Sequence, residues 1–534
     1  MTTSLARPTA DDAETAEVRR AIGGVARGGV AGILGAAVAG SAGLAVTWVV
    51  AQRLGPSQAG AFFAATAAFV LTTTLAKLGT QTGLVYWPAR LRARGQAHLL
   101  GPCLRVAFTP VVCAALAVGV ALFAGAPALA RLTAGDSYPA DLVTGLRLLA
   151  VFVPLAVLSD TLLAATRGYR LIRPTVLLDK VVRPGSQVAG VVTVAAVGAA
   201  SPSAFALAWA LPYVPTALLA AYALHRVHLT TTADIPRVRV KRAHRAGMRR
   251  AFWRFTAPRS LASVAQLALQ RVDVLLVAAL AGLGAAGLYA VAGRFVVLGQ
   301  FANQGITQAV QPRLAEALAV DDRAAANALY QTATGWLMLL TWPLYLLVMT
   351  YAPAYLDVFG DAYHDGAAIV VVLAAAMLVA TGCGMVDIVL SMAGRTSWNL
   401  GNVAVALGLT IAIDLALIPR YGALGAAVGL AAAVVANNLL PLAQVGLALG
   451  LHPFGAGWLS AALVTVVSFG VTPRVVGAAI GHTPAATAAA VGVALLTFFT
   501  GVRLLRGPLA LDALKDLRRG RTRPNRQGRG RTRA

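Results

Sequence analysis

Long apolar runs alternate with short polar connectors along nearly the whole chain. Fourteen of these runs are long enough to cross a bilayer core of roughly 30 Å. They lie near residues 29–52, 58–86, 102–127, 144–165, 176–198, 203–225, 255–280, 285–312, 330–352, 367–393, 398–418, 423–448, 457–478 and 484–502. Each predicts a transmembrane α-helix. Gly and Pro recur inside the runs, as transmembrane helices tolerate. Short alternating strands of the kind that build a β-barrel are not the pattern here. The predicted fold class is all-α: a polytopic membrane protein of about fourteen helices.

Composition agrees. Of 534 residues, 58% are hydrophobic and 12% charged, with a mean hydropathy of +0.72. A water-soluble fold of this length could not bury that much apolar surface. Residues 1–28 are polar and charged, and many full-length apolar runs follow, which is not the layout of a cleavable signal peptide. Cys103, Cys113 and Cys383 fall inside predicted spans. They show neither disulfide nor metal spacing and read as buried free thiols. No metal or other cofactor is expected.

Charge gives an orientation. With fourteen spans both termini share one side. The segments on that side are 1–28, 87–101, 166–175, 226–254, 313–329, 394–397, 449–456 and 503–534, and they hold 33 of the 45 Lys and Arg residues. On the opposite side lie only Arg53, Arg131 and Arg420 in the loops and Arg474 at the outer end of the thirteenth span. The positive-inside rule therefore places both termini in the cytoplasm. The same bias accounts for the net charge of +25. The tail RRGRTRPNRQGRGRTRA reads as a disordered anchor on anionic membrane lipid. No aromatic platform accompanies its arginines, so nucleic-acid binding is not expected.

The longest cytoplasmic loop, 226–254, divides the spans six and eight. A short repeat supports the division: GPSQAGAF (Gly55 to Phe62) follows the first span, and GLGAAGLY (Gly282 to Tyr289) follows the seventh. Both read G-x-x-x-x-G-x-aromatic. Chance in a Gly- and Ala-rich chain is the competing explanation, but the placement at equivalent turns favours a repeat. Six being even, the halves would be parallel repeats, a plan that transporters use. The expected organisation is an N-terminal tail (1–28), a first six-helix lobe (29–225), the basic loop, a second six-helix lobe (255–448), two additional helices (457–502) and the basic tail (503–534).

Polar residues inside the spans are the candidates for chemistry. In span 7, Arg259, Ser263, Gln266, Gln270 and Asp273 share one helix face. Asp273 lies nine residues before Gly282, roughly 13 Å along a helix, near mid-membrane. A charge facing lipid there costs about 3 kcal/mol, so the face points to water or protein. Arg271 is off this face and needs its own partner or borders the cavity. Span 8 repeats the pattern with Gln300, Gln304, Gln308 and Gln311, and span 2 carries Thr73, Lys77, Thr80 and Gln81. These faces read as walls of a central cavity, with interhelical hydrogen bonding as the alternative. Lys77 and Arg294 are candidate cavity bases. Arg105, Arg147, Arg183 and Arg259 lie near span ends, where long side chains reach the interface, and the adjacent Asp179 and Lys180 read as interfacial. Asp160, Asp273, Asp387 and Asp414 are candidates for binding a coupling ion or for pairing with bases. The basic excess favours an anionic ligand, and Arg suits phosphate.

No P-loop, HExxH or GxSxG occurs, and the outer loops are short, the longest being about 128–143, so an enzyme is not expected. Three stretches then carry a resemblance: QRVDVLLVAALAGLGAAGLYAVAGRF (270–295), QAVQPRLAEA (308–317) and IPRYGALGAAVGLAAAV (418–434). They resemble polysaccharide flippases of the O-antigen type, within the multidrug/oligosaccharidyl-lipid/polysaccharide exporter superfamily. The resemblance implies a V-shaped two-lobed carrier in the bacterial cytoplasmic membrane, moving a polyprenyl-diphosphate-linked oligosaccharide by alternating access. Its implied partners are that glycan and other polysaccharide assembly proteins. In this reading Arg259 and Arg271 attract the diphosphate, the glutamines of span 8 bind sugar, and Asp273 pairs with a base or senses a coupling ion. A lipid II flippase, a drug or cation antiporter of the same superfamily, and a membrane scaffold are the alternatives.

Overall fold

The computed structural model describes residues 10–509 apart from 135–138, 170, 199–200, 234–241 and 482. Along the chain the α-helices are α1 (Ala10–Ala76), α2 (Thr80–Ala93), α3 (Leu100–Ala134), α4 (Ala140–Gly168), α5 (Arg183–Ala196), α6 (Pro202–Ala210), α7 (Tyr213–Thr232), α8 (Arg242–Ala292) and α9 (Val296–Ala319). They continue with α10 (Arg323–Thr350), α11 (Ala352–Asp357), α12 (Ala367–Gly382), α13 (Val386–Met392), α14 (Thr396–Tyr421), α15 (Ala423–Leu449), α16 (Ala456–Thr465), α17 (Thr472–Ile480) and α18 (Pro484–Leu504). No strand occurs among the described residues. The chain is an all-α, multi-pass membrane protein: among the described residues, eleven helical segments are long and apolar enough to span a membrane. Ala37–Arg92 and Val264–Thr307 each cover most of two predicted spans. The fifth predicted span is helical but loosened by a π-helical stretch, Thr175–Val182, before α5.

Lipid as solvent explains where the apolar side chains go. Leu116, Val120 and Phe123 on α3, and Leu496 and Phe499 on α18, are exposed, as hydrocarbon permits. The buried positions are dominated by Ala, among them Ala59, Ala126, Ala406, Ala426 and Ala490. Small residues let helix backbones approach closely, which drives packing where no hydrophobic force acts between helices.

The chain forms two compact units. The first comprises Met1–Gly305, Ala352–Leu373 and Leu400–Asn437, the second Ile306–Tyr351, Ala374–Asn399 and Asn438–Ala534. In the first unit the broadest packing is between α1 and α8. Each of these helices is interrupted at the glycine that opens the repeated motif: Gly55 (φ 70°, ψ 174°) and Gly282 (φ 88°, ψ 169°). Only glycine adopts this conformation readily. The second glycine of each motif sits at the crossing. A Cβ on Gly60 would strike the carbonyl oxygen of Leu283, and a Cβ on Gly287 would strike that of Pro56. Leu283 follows Gly282 as Pro56 follows Gly55, so the two copies meet reciprocally, as in a two-fold interface.

Span 2 is also broken. Between α1 and α2, Leu78 (φ 49°) and Gly79 (φ 64°) both take left-handed backbone conformations. That is uncommon for a leucine. The backbone N–H and hydroxyl of Thr80 donate to the Lys77 carbonyl at 3.0 and 2.7 Å, closing the break.

In the second unit, span 10 is broken between α12 and α13, where Gly384 has φ 74°. Three aromatic residues hold the break. Trp458 donates to the Gly382 carbonyl at 2.9 Å, Tyr330 to that of Cys383 at 2.6 Å, and Trp342 to the Thr381 hydroxyl at 3.0 Å. Trp458 belongs to α16, so the helices following the twelfth span contribute to holding the tenth. Met338, Trp342, Ala461, Phe469 and Ala494 form the core beneath.

Candidate functional site

The first unit gathers most of its intramembrane charges into two groups. One lies on α8, the turn after it, and α14. Asp273 is 3% exposed. Its carboxylate accepts from the Val274 backbone N–H at 2.8 Å and from the Tyr289 hydroxyl. Tyr289 is the aromatic residue closing the second copy of the repeated motif, so the turn at Gly282 brings it back against Asp273. Asp414 on α14 is fully buried, and neither carboxylate oxygen has a hydrogen-bond partner. The hydroxyl of Thr410, one turn earlier, has none either. Opposite them Gly429 of α15 leaves the space, since a Cβ there would meet the Asp414 carboxylate. Asp414 and Asp273 lie within electrostatic reach of each other.

Two arginines accompany these acids. Arg271 is in electrostatic reach of Asp273 and of Arg294. The Nε of each arginine is buried without a hydrogen-bond partner. Gly43 of α1 makes room for the Arg294 guanidinium, which a Cβ at that position would hit. Buried donors without partners are costly. Here Arg271 is in electrostatic reach of Asp273, and Arg294 is in reach of Arg271 and Tyr355.

The second group surrounds the break in span 2. Lys77 pairs with Asp160 of α4. Asp179, in the π-helical stretch, pairs with Arg183 and lies 3.1 Å from Lys180. Arg183 donates to the Tyr213 hydroxyl at 2.7 Å and stands 5.0 Å from its ring centroid. Asp160 is in electrostatic reach of Arg183, and Tyr213 is in reach of Lys77, Asp160 and Asp179, so the six residues form one network.

The sequence-predicted residues fall into clear classes. Asp273, Arg271, Arg294 and Asp414 come together; Lys77 and Asp160 come together. Gln266, Gln270, Gln300 and Gln304 are exposed. Hydrocarbon offers an amide no hydrogen-bond partner, so exposed glutamines in the spans suit a wet surface. The side chains of Arg259, Ser263 and Gln308 lie outside the described residues. Asp387 is exposed at the start of α13, with the Asn399 amide donating to its carbonyl at 2.8 Å. Arg105 and Arg147 are exposed, Arg147 over the Phe123 ring. Arg183 and Asp179 are embedded in the network rather than free at an interface. Tyr213 and Tyr289 were not readable as site residues. A tyrosine in an apolar run looks like packing until its hydroxyl partner, far away in sequence, is known.

A family profile described as polysaccharide biosynthesis protein matches residues 49–368. The chain belongs to the polysaccharide biosynthesis protein family. The match covers both copies of the glycine motif, Lys77, Asp160, Arg271, Asp273 and Arg294; Asp387 and Asp414 lie beyond it. No curated protein matches the chain. Among solved structures, this family member is similar to the lipid II flippase MurJ in an inward-closed conformation, with TM-score 0.67 and 13% identity over 91% of this chain and 99% of that one. It is also similar to an inward-facing MATE multidrug resistance transporter of the MOP superfamily, at TM-score 0.60 and 15% identity over 77% and 94% of the two chains. A MOP superfamily transporter from Pyrococcus furiosus gives TM-score 0.53 and 16% identity over 80% and 95%. At these identities the likeness is one of fold. The family member thus has the fold of MOP-superfamily transporters.

Proposed function

We propose that this protein is a flippase that moves a polyprenyl-diphosphate-linked oligosaccharide across the bacterial cytoplasmic membrane by alternating access. The observation that carries the reading is the pair of half-buried arginines, Arg271 and Arg294, each with a buried Nε lacking a partner. Guanidinium matches phosphate geometry, and an unpaired buried donor is best satisfied by an anionic ligand. Family membership and fold support a lipid-linked glycan as the cargo. The exposed glutamines of α8 and α9 would hydrogen-bond sugar. The two repeats, joined reciprocally at Gly60 and Gly287, would work as the two lobes of the carrier. Both termini are assigned to the cytoplasm from the Lys and Arg distribution, and other polysaccharide assembly proteins are the proposed partners.

Asp273 and Asp414 are the proposed coupling pair. Two acids in electrostatic reach, one of them wholly without hydrogen bonds, can hold a proton or a small cation. Its release would alter the field on Arg271 and so couple ion and substrate binding. Asp160 and Asp387 are secondary candidates, Asp160 being already paired.

Lipid II is the second reading, favoured by the near-complete coverage of the MurJ fold. A cationic drug would be repelled by the arginines, which weighs against a drug exporter. The test is made in cells lacking the protein. Polyprenyl-linked glycans are extracted and assigned to a leaflet. A completed oligosaccharide carrier trapped on the inner leaflet supports the flippase and names its substrate; trapped lipid II supports the second reading. No accumulation, with surface glycan unchanged, removes both.

A further inference from the structure

The network at the break in span 2 contains three bases, Lys77, Lys180 and Arg183, against two acids, Asp160 and Asp179. Asp179 is served by both Lys180 and Arg183. Asp160 is served by Lys77 at contact distance and by Arg183 at longer reach. One base can therefore leave the network while each acid keeps a cation. Lys77 is the one placed to leave. Its side chain is 17% exposed and that of Asp160 22%, so the pair is reachable. The ammonium rides on a flexible four-carbon stem. Its backbone sits against the left-handed Leu78 and Gly79, where span 2 is already interrupted. Intramembrane helix breaks of this kind commonly accompany ligand sites. Thr73, Thr80 and Gln81 lie within four residues of it on the same span.

The second repeat sharpens the point. Gln304 stands as far beyond Gly282 as Lys77 does beyond Gly55, and Asp387 as far as Asp160. The second repeat keeps the acid and replaces the base by an amide, and its eighth span is unbroken there, α9 running through Gln304. A pair needed only to hold helices together would be expected in both copies. The exchangeable base belongs to the first copy alone.

We propose that Lys77 and Asp160 form an exchangeable ion pair, in which the diphosphate of the cargo takes Lys77 from Asp160 while Arg183 takes over Asp160. The proposal rests on the flippase reading. Without cargo the pair is closed, so neither Lys77 nor Asp160 sits uncompensated in the membrane. With cargo, Lys77 becomes a ligand. Asp160 is then a positioning residue that competes with the substrate for Lys77.

The test is equilibrium binding of a polyprenyl diphosphate, and separately of inorganic pyrophosphate, to the full-length protein in lipid nanodiscs. Charge-assisted hydrogen bonds of this kind lead us to expect that Lys77→Met weakens polyprenyl diphosphate binding about tenfold. Asp160→Asn, which frees Lys77, should tighten it, and the double variant should match Lys77→Met. A structural pair gives a different order: both single variants weaken binding through loss of fold, and the double variant restores it. That order overturns the proposal, as does unchanged binding in Lys77→Met. Should a single variant fail to fold, the charge-free double variant against the wild type decides: weaker binding supports Lys77 as ligand, equal binding overturns it. The same variant order with pyrophosphate assigns the site to the bare diphosphate; the order seen only with the polyprenyl form assigns it to the lipid-borne group. If the wild type binds neither probe, the flippase reading falls as well; if it binds and the variants do not differ, only the exchange falls.

Discussion

At the scale of single residues, the cluster around Asp273 is held by one side-chain hydrogen bond of long sequence range. Tyr289→Phe removes the hydroxyl that donates to Asp273 and leaves a buried carboxylate with one backbone donor. We expect a loss of about 1–3 kcal/mol in stability, read from unfolding of the purified protein in detergent. Arg271→Ala loses no hydrogen bond at Nε, only the electrostatic contact with Asp273, so folded protein should still be recovered. Glycan export should nevertheless fall at least tenfold, the equivalent of one charge-assisted contact of about 1.5–3 kcal/mol. Full export by this variant, measured as surface glycan, would take the diphosphate role away from Arg271. The charges themselves were legible in the sequence, because a charge in an apolar run is costly and must be explained. Their partners were not. Asp273 and Tyr289 are joined across a turn, and Lys77 and Asp160 across two helices.

At the scale of elements, the glycine motifs organise the first unit. Gly282→Ala forces a side chain into a conformation that costs of order 1–3 kcal/mol, although nothing lies within 4 Å of the added Cβ. Gly60→Ala meets the Leu283 carbonyl instead, and two backbones must separate. We expect Gly60→Ala to lower the unfolding temperature more than Gly282→Ala, and the double variant Gly60→Ala/Gly287→Ala to fold poorly, since both sides of one crossing are lost. Equal, small shifts for Gly60→Ala and Gly282→Ala would show that the crossing is not tight. The motif was visible in the sequence because it recurs. The breaks at Leu78 and Gly384 and the π-helical stretch Thr175–Val182 were not. Membrane spans are apolar throughout, so no change of periodicity marks where a helix stops and restarts.

At the scale of the whole molecule, the C-terminal region separates a carrier from a scaffold. Residues 510–534, most of the predicted anchor, lie outside the described residues. Leu509 is buried, and its carbonyl accepts from Trp336 at 3.0 Å. Ending the chain after Leu509 should therefore preserve the fold and glycan export, whereas ending it after Arg503 removes packing from the core beneath α10 and should lower stability. Loss of export on cutting after Leu509, with the protein still inserted, would favour a scaffold that works through its basic tail.

Hydrophobicity settles what depends on composition alone. A run of about twenty apolar residues is long enough to span a bilayer as a helix. The sequence alone therefore determined an all-α membrane chain, the positions of its apolar segments, the paired glycine turns and the presence of charges that lipid could not accept. Tertiary structure alone decided which charges meet, which buried groups keep no partner, and where continuous apolar runs break. Those outcomes depend on contacts between residues far apart in the chain, and no local pattern encodes the distance between them.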